Sequence, residues 1–369
     1  APDHVLAALG RPQVMANVMT PSPSQRRLVG ALQREVGHAR GGCPFSGFLF
    51  LNSGSESVTV AARMADLNAK TLTDPGGCYE GRTIRRMALR GGFHGRTQRP
   101  AQFSDSGFRT YAAHLASFRD ASPLLTVEPN DVEGLEQAFQ DADERGELVE
   151  ALFIEPVMGE GNPGVAIDRD FYDAARELTT KHGSLLLVDS IQAGLRAQGV
   201  LSIVDYPGFE DCDAPDLETY SKALNAGQYP LSVLAMTEKV VAMFETGIYG
   251  NTMTTAPRAM DVGTAVLESI TPELRRNVRE RGVEFVGMLR QLAKELDGAI
   301  TDVTGTGLLV ACHLDPAQYA SYGANSTEEY MRKHGIGVIH GGANALRFTP
   351  HFAVTTTELE LIVDAVRDA

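Results

Sequence analysis

Short apolar runs alternate with stretches of helical periodicity over most of the chain. A run at 48–51 precedes a helical pattern at 58–70, a pattern at 131–146 precedes a run at 151–157, and a pattern at 171–182 precedes a run at 184–188. This rhythm predicts βα units and a parallel sheet. Ser184-Leu185-Leu186-Leu187-Val188 is almost continuously hydrophobic, as befits a strand covered on both faces. Ligands of open α/β sheets bind outside the carboxyl ends of the strands. Polar residues follow three of the predicted ends: Asn52-Ser53-Gly54-Ser55, Glu155-Pro156 and Asp189-Ser190-Ile191-Gln192.

After about residue 258 the pattern changes to a long charged helix at 272–296, then short strands at 307–314, 337–339 and 345–348 around another helix. A terminal helix opens at Thr355-x-x-Glu358, and Ser326 with Glu329 predicts a capping box for the helix before it. The expected organisation is an N-terminal segment at 1–30, a large domain at 31–258 and a smaller α+β domain at 259–369.

The chain has 369 residues, 43% hydrophobic and 22% charged, enough to bury a large core in more than one domain. Its formal charge is −14, from 33 Lys and Arg against 47 Asp and Glu, with no long basic run. Nucleic acid and anionic membrane surfaces therefore find no electrostatic footprint. The four cysteines, Cys43, Cys78, Cys212 and Cys312, lie far apart without CxxC or metal-ligand spacing. That argues against a disulfide scaffold and a zinc site, and fits a reducing, cytoplasmic setting. Neither an apolar run of about 18 residues nor a signal-peptide pattern is evident.

Four segments carry candidate chemistry. Asn52-Ser53-Gly54-Ser55-Glu56-Ser57 is a small-residue turn opening a helix, whose first-turn amides suit a phosphate, although Ser and Gly are also ordinary caps. Gly91-Gly92-Phe93-His94-Gly95-Arg96-Thr97 places an aromatic and a cation between glycines; a tight turn with a core Phe and a solvated Arg is the bland alternative. Asp189 ends a hydrophobic strand, where a buried carboxylate needs a cationic partner. Lys222, in Thr219-Tyr220-Ser221-Lys222-Ala223, is a Schiff-base candidate if desolvated. In that chain order these are the parts that hold pyridoxal phosphate.

The chain resembles the class III pyridoxal-phosphate aminotransferases, which include 4-aminobutyrate, ornithine, acetylornithine and lysine ω-aminotransferases. Further matching segments are Phe153-Ile154-Glu155-Pro156-Val157-Met158-Gly159-Glu160-Gly161, Gly250-Asn251-Thr252-Met253 with Pro257, and Leu346-Arg347-Phe348-Thr349-Pro350. The resemblance implies a fold type I α/β transferase, with a mostly parallel central sheet and a smaller α+β C-terminal domain. It implies that Lys222 anchors the cofactor and moves the proton, while Asp189 pairs with the ring nitrogen. Gln192 would bond the ring oxygen, Phe93 would stack on the ring, and Gly54 and Ser55 would take the phosphate. Thr252 would reach the phosphate of a partner subunit, which implies a homodimer with shared active sites. Arg96 would bind the distal carboxylate of the amino donor, Arg347 the α-carboxylate of glutamate or 2-oxoglutarate, and Glu160 would mask Arg347 during the ω-amine half-reaction.

Three departures stand out. The usual Asp-Glu-(Val/Ile)-Gln reads Asp189-Ser190-Ile191-Gln192, the Gly-Gly-Asn before Pro reads Thr254-Thr255-Ala256, and Met158 replaces a Gln. The segment at 1–30 is also expected to be shorter than its counterpart in the family. The leading expectation is an amino-group transfer from a carboxylate-bearing ω-amino acid to 2-oxoglutarate, ping-pong through pyridoxamine phosphate. The same fold hosts aminomutases, epimerases and phospho-lyases, which need no keto acid, and a third reading is a non-catalytic scaffold.

Overall fold

A computed structural model describes residues 3, 7, 10, 20–119 and 124–369. Most of the N-terminal segment expected at 1–30 lies outside the described residues. The chain forms two compact units: Ala1–Pro156, Ile167–Gly194 and Leu201–Ser269 make the first, and Val157–Ala166, Leu195–Val200 and Ile270–Ala369 make the second.

The first unit is built on a seven-stranded sheet. Its strands are β1 (Gly47–Leu51), β2 (Thr83–Leu89), β3 (Leu125–Val127), β4 (Glu147–Ile154), β5 (Leu185–Asp189), β6 (Leu217–Tyr220) and β7 (Ser232–Met236), in the order β1-β7-β6-β5-β4-β2-β3. The β6-β5-β4-β2-β3 run is parallel and β7 is antiparallel to both its neighbours. β4 and β5 are buried along their whole length, because helices cover both faces.

Helix α1 (Pro23–Glu35) precedes the sheet, and α2 (Gly54–Thr73) follows β1. A full capping box between Ser53 and Glu56 starts α2, and Asp74 ends it immediately before Pro75. The apolar face of α2, with Val58, Ala62 and Met64, shares a buried cluster with Leu51, Phe153 and Leu187 of the sheet. Each such large side chain contributes about 1.5–3 kcal/mol when taken from water. Helices α3 (Gln98–Phe103), α4 (Asp105–His114), α5 (Val132–Glu144), α6 (Arg169–Lys181), α7 (Glu238–Val241) and α8 (Pro257–Glu268) complete this unit. The first unit runs to Ser269, past the expected boundary at 258, and Arg27 of α1 meets Asp261 of α8 at 2.6 Å.

The second unit has helix α9 (Pro272–Glu295), strands β8 (Ile300–Thr306) and β9 (Leu309–Leu314), helix α10 (Thr327–Lys333), strands β10 (Ile339–Gly341) and β11 (Ala345–Phe348), and helix α11 (Thr356–Asp368). Its four-stranded sheet is antiparallel, in the order β10-β11-β9-β8. Phe285 and Leu289 of α9, Val310 of β9, Phe348 of β11 and Leu359 of α11 share its core. The capping box at Thr355 and Glu358 forms in full. At α10 only half of the expected box forms: the Glu329 amide donates to Ser326 Oγ at 3.2 Å, but the Glu329 carboxylate takes the amide of Asn325 at 2.6 Å.

Candidate active site

Five segments of interest leave the sheet at the carboxyl ends of parallel-running strands: Asn52 after β1, Gly91 after β2, Glu155 after β4, Asp189 ending β5 and Lys222 after β6. That common edge is where an open α/β sheet places its ligand.

At the first of these, Ser53 caps α2 while the Glu56 carboxylate accepts the amides of Asn52 at 2.7 Å and Ser53 at 3.2 Å. The amides of Gly54 and Ser55, in the first turn, stand outside the helical ladder and are donors for an anion. The loop after β2 lies against them. A Cβ on Gly95, whose φ is +119°, would sit 2.5 Å from Ser55 Oγ, so only glycine permits this approach. A Cβ on Gly54 would likewise sit 2.7 Å from Ile191 in the turn after β5.

Asp189 is 4% exposed. Its Oδ1 accepts the Thr219 hydroxyl and the Ile191 amide, each at 3.2 Å, and His94 Nδ1 lies 2.9 Å from its Oδ2. The His94 ring is buried edge-on against Phe153, with centroids 5.6 Å apart, and its amide donates to Ser104 Oγ at 2.9 Å. His94 Nε2 has no hydrogen-bond partner among the described residues. The Phe93 amide donates to Glu155 Oε1 at 2.9 Å, which ties the loop after β2 to the end of β4. The Arg96 guanidinium is exposed and sits over the Phe93 ring, 4.9 Å from its centroid.

Register places Asp189 opposite Thr219, so Lys222 follows three residues later, two past the end of the adjacent strand. Lys222 is exposed and has a φ of +45°, a left-handed conformation that costs a non-glycine residue about 1–3 kcal/mol. Gln192 is half-buried in the turn after Asp189. Thr252 is exposed on a loop that Asn251 ties to the cradle helix by a 2.9 Å hydrogen bond to Glu56.

On the opposite face of β6, Glu218 is fully buried among four donors: Ser190 Oγ at 2.6 Å, the Ile203 amide at 3.0 Å, Tyr220 OH at 2.8 Å and the Ser202 hydroxyl. Burial pushes its carboxyl up to about 7, against the pull of those donors.

The remaining two expected residues belong to the second unit. Arg347, on β11, reaches Glu160 at 3.1 Å and also donates to the Gly159 carbonyl. Glu160 is carried by a hairpin-like segment closed by a bridge between Val157 and Ala166. That segment is pinned from three sides: Gly342 N donates to Glu160 O at 2.7 Å, Thr304 Oγ1 to Pro163 O at 2.7 Å, and Thr306 Oγ1 to Gly164 O at 2.9 Å.

Thus Gly54, Ser55, Phe93, Asp189, Gln192 and Lys222 all stand along one edge of the sheet of the first unit, with Arg96 and Thr252 on loops of that unit. Glu160 and Arg347 form an ion pair in the second. Sequence reasoning did not single out His94, Thr219 or Glu218. His94 lies between Phe93 and Gly95 of the glycine-rich motif and Glu218 lies in Leu217-Glu218-Thr219-Tyr220, and neither position is marked out by its neighbours in the chain. Among the described residues no cluster has the makings of a metal site, and no helix is long and apolar enough to cross a membrane.

The family model for aminotransferase class-III matches residues 4–369. The acetylornithine aminotransferase of Neisseria meningitidis serogroup B is 32% identical over 317 residues, covering 84% of this chain and 72% of that protein. The succinylornithine transaminase of Citrobacter koseri is 31% identical over 320 residues, covering 85% and 72%. Among solved structures, the N-acetylornithine aminotransferase of Stenotrophomonas maltophilia has a TM-score of 0.74 at 24% identity, over 100% of this chain and 85% of that one. An ornithine aminotransferase of Toxoplasma gondii, with pyridoxal phosphate partly occupying its own active site, has a TM-score of 0.79 at 24% identity, over 99% and 81%. The expected fold type I architecture is the one shared with these structures, and by the match along nearly its whole length the chain belongs to the class-III aminotransferase family.

Proposed function

We propose that this aminotransferase moves an amino group from a carboxylate-bearing ω-amino acid of the ornithine or acetylornithine type to 2-oxoglutarate. The two half-reactions would use one pyridoxal phosphate. The observation that carries the reading is the convergence of a phosphate-ready helix start, a buried aspartate and a left-handed lysine at neighbouring strand ends. The names of the relatives support the donor class.

The residues fit that cofactor. Gly54 and Gly95 leave a cradle that a Cβ would fill, and Asp189 is a buried acceptor whose three neighbours leave its carboxylate held in one orientation. Bound there, pyridoxal phosphate supplies an electron sink for bond breaking at the amine-bearing carbon. The chain does the rest. Gly54 and Ser55 hold the phosphate with amides and a hydroxyl. Asp189, oriented by His94 and Thr219, keeps a proton on the ring nitrogen. Gln192 bonds the ring oxygen and Phe93 covers one ring face.

Lys222 Nζ would hold the cofactor covalently and would serve as the acid and base that moves the substrate proton. Lys222 opens a 3-10 turn, Lys222–Asn225, just after the end of β6. Arg96 receives the distal carboxylate of the donor. Arg347 receives the α-carboxylate of the dicarboxylate, and Glu160 neutralises that arginine when the substrate brings no second carboxylate, since a buried uncompensated charge would reject it. The enzyme is further proposed to act as a cytoplasmic homodimer in which Thr252 of each subunit completes the other's phosphate site.

The test is the visible spectrum of the purified protein, recorded while ornithine, acetylornithine, 4-aminobutyrate, lysine and glutamate are added singly. A cofactor band that bleaches with glutamate and one ω-amine, and returns with 2-oxoglutarate, is expected. A band that no amine bleaches would overturn amino transfer in favour of a mutase or lyase.

A further inference from the structure

We infer that Glu218 is the positioning residue of this site: one buried carboxylate that fixes the strand end carrying Asp189 to the strand end carrying Lys222. The inference rests on the proposed aminotransferase reading and goes beyond it, because Glu218 lies on the face of β6 opposite Thr219 and touches no substrate or cofactor group.

The geometry is that of a clamp. Glu218 stands opposite Val188 in the β5–β6 register. Its Oε1 takes the hydroxyl of Ser190 at 2.6 Å and the amide of Ile203 at 3.0 Å, while its Oε2 takes Tyr220 OH at 2.8 Å and the Ser202 hydroxyl. A carboxylate offers about four acceptor positions, so all are used. Ser190 directly follows Asp189 and lies two residues before Gln192; Tyr220 lies two residues before Lys222. Ser190 is itself locked, its amide on Thr219 O at 3.1 Å and its carbonyl receiving Gly194 N at 2.8 Å. Beside the contacts that Asp189 makes itself, with Thr219 and His94, the Ser190 hydroxyl on Glu218 ties this turn to the other face of β6.

An isolated carboxylate in a strand core is costly, and apolar residues of similar volume commonly replace such groups without loss of stability. What an apolar residue cannot reproduce is the set of four convergent acceptor contacts. Glutamine reproduces most of it, because its carbonyl faces Ser190 and the Ile203 amide while its amide group faces two hydroxyls that rotate to accept.

The experiment measures the dissociation constant for pyridoxal phosphate, by equilibrium dialysis and by the cofactor's absorbance, in Glu218→Leu, Glu218→Gln, Ser190→Ala and the Ser190→Ala/Glu218→Leu double variant, with thermal unfolding in parallel. Leaving Ser190 and Ile203 N–H unsatisfied is expected to weaken cofactor binding by roughly tenfold in Glu218→Leu. Glu218→Gln is expected within about threefold of the parent, and the double variant no weaker than Glu218→Leu alone, since both act through one tether. Folded Glu218→Leu with the parent's affinity overturns the inference, as does an equal loss in Leu and Gln variants, which would assign the effect to charge. Should Glu218→Leu not fold, Ser190→Ala with unchanged affinity overturns it equally. A parent protein that takes up no pyridoxal phosphate overturns the aminotransferase reading and this inference together.

Discussion

Asp189 accepts from three directions, and each of its neighbours is fixed by something else: His94 by Ser104 and Phe153, Thr219 by the strand ladder, Ile191 by the turn. A carboxylate so held needs no rearrangement to meet a cationic ring nitrogen, and this preorganisation is where electrostatic catalysis gains most. His94→Phe keeps the ring against Phe153 but removes one contact to Asp189. Cofactor affinity is expected to fall about tenfold with little change in melting temperature, read by titrating apoenzyme with pyridoxal phosphate. Lys222→Ala is expected to abolish turnover and all borohydride-trappable cofactor. Trapping that persists in the variant would remove Lys222 from its role.

At the scale of elements, tight glycine contacts decide how the second unit closes. A Cβ on Gly282 of α9 would lie 2.2 Å from the Gly307 carbonyl, and Gly307, at φ +54°, would itself put a Cβ 1.9 Å from the Ala197 carbonyl. Helix, β-turn and the 195–200 segment thus meet through backbone. Gly282→Ala is expected to cost about 1–3 kcal/mol by overpacking, seen as a drop of several degrees in thermal unfolding. Such contacts were invisible in the chain, where glycine announces only a turn. The same holds for β2: Arg85 and Arg86 hide its strand character, and the charges are absorbed by acids on β4, Arg85 reaching Glu147 at 2.7 Å and Arg86 interacting with Glu150. β5, by contrast, was readable from four consecutive apolar letters, Leu185 to Val188, and Asp189 with it, because a strand buried on both faces has no polar alternation to confuse. The cradle and the lysine were legible through order along the chain. His94 and Glu218 were not, because their meaning depends on which strand lies beside which, and hydropathy does not encode that neighbourhood.

For the whole molecule, the buried acid has a consequence for stability against pH. Glu218 rises from an ordinary 4.5 to about 7 in the folded protein, mainly through burial. Between those values the native state holds a proton that the unfolded chain has released, so the stabilisation is complete below about 4.5 and is lost as pH rises to about 7. Denaturant midpoints taken across that window are expected to fall with pH in the parent, and to fall less steeply in Glu218→Gln. A parallel slope in the two proteins would show that other groups govern this range.

The backbone passes between the two units five times, at 156/157, 166/167, 194/195, 200/201 and 269/270. The pieces that complete the smaller unit, including the one bearing Glu160, are synthesised long before its sheet. A ribosome must therefore release most of the polypeptide before residues 157–166 and 195–200 find their partners, and a fragment beginning at Ile270 starts without them. Proteases meet the same fact from the other side: a single nick at any of these crossings leaves each unit still joined to the other, so limited digestion reports the loosening of loops rather than the separation of domains.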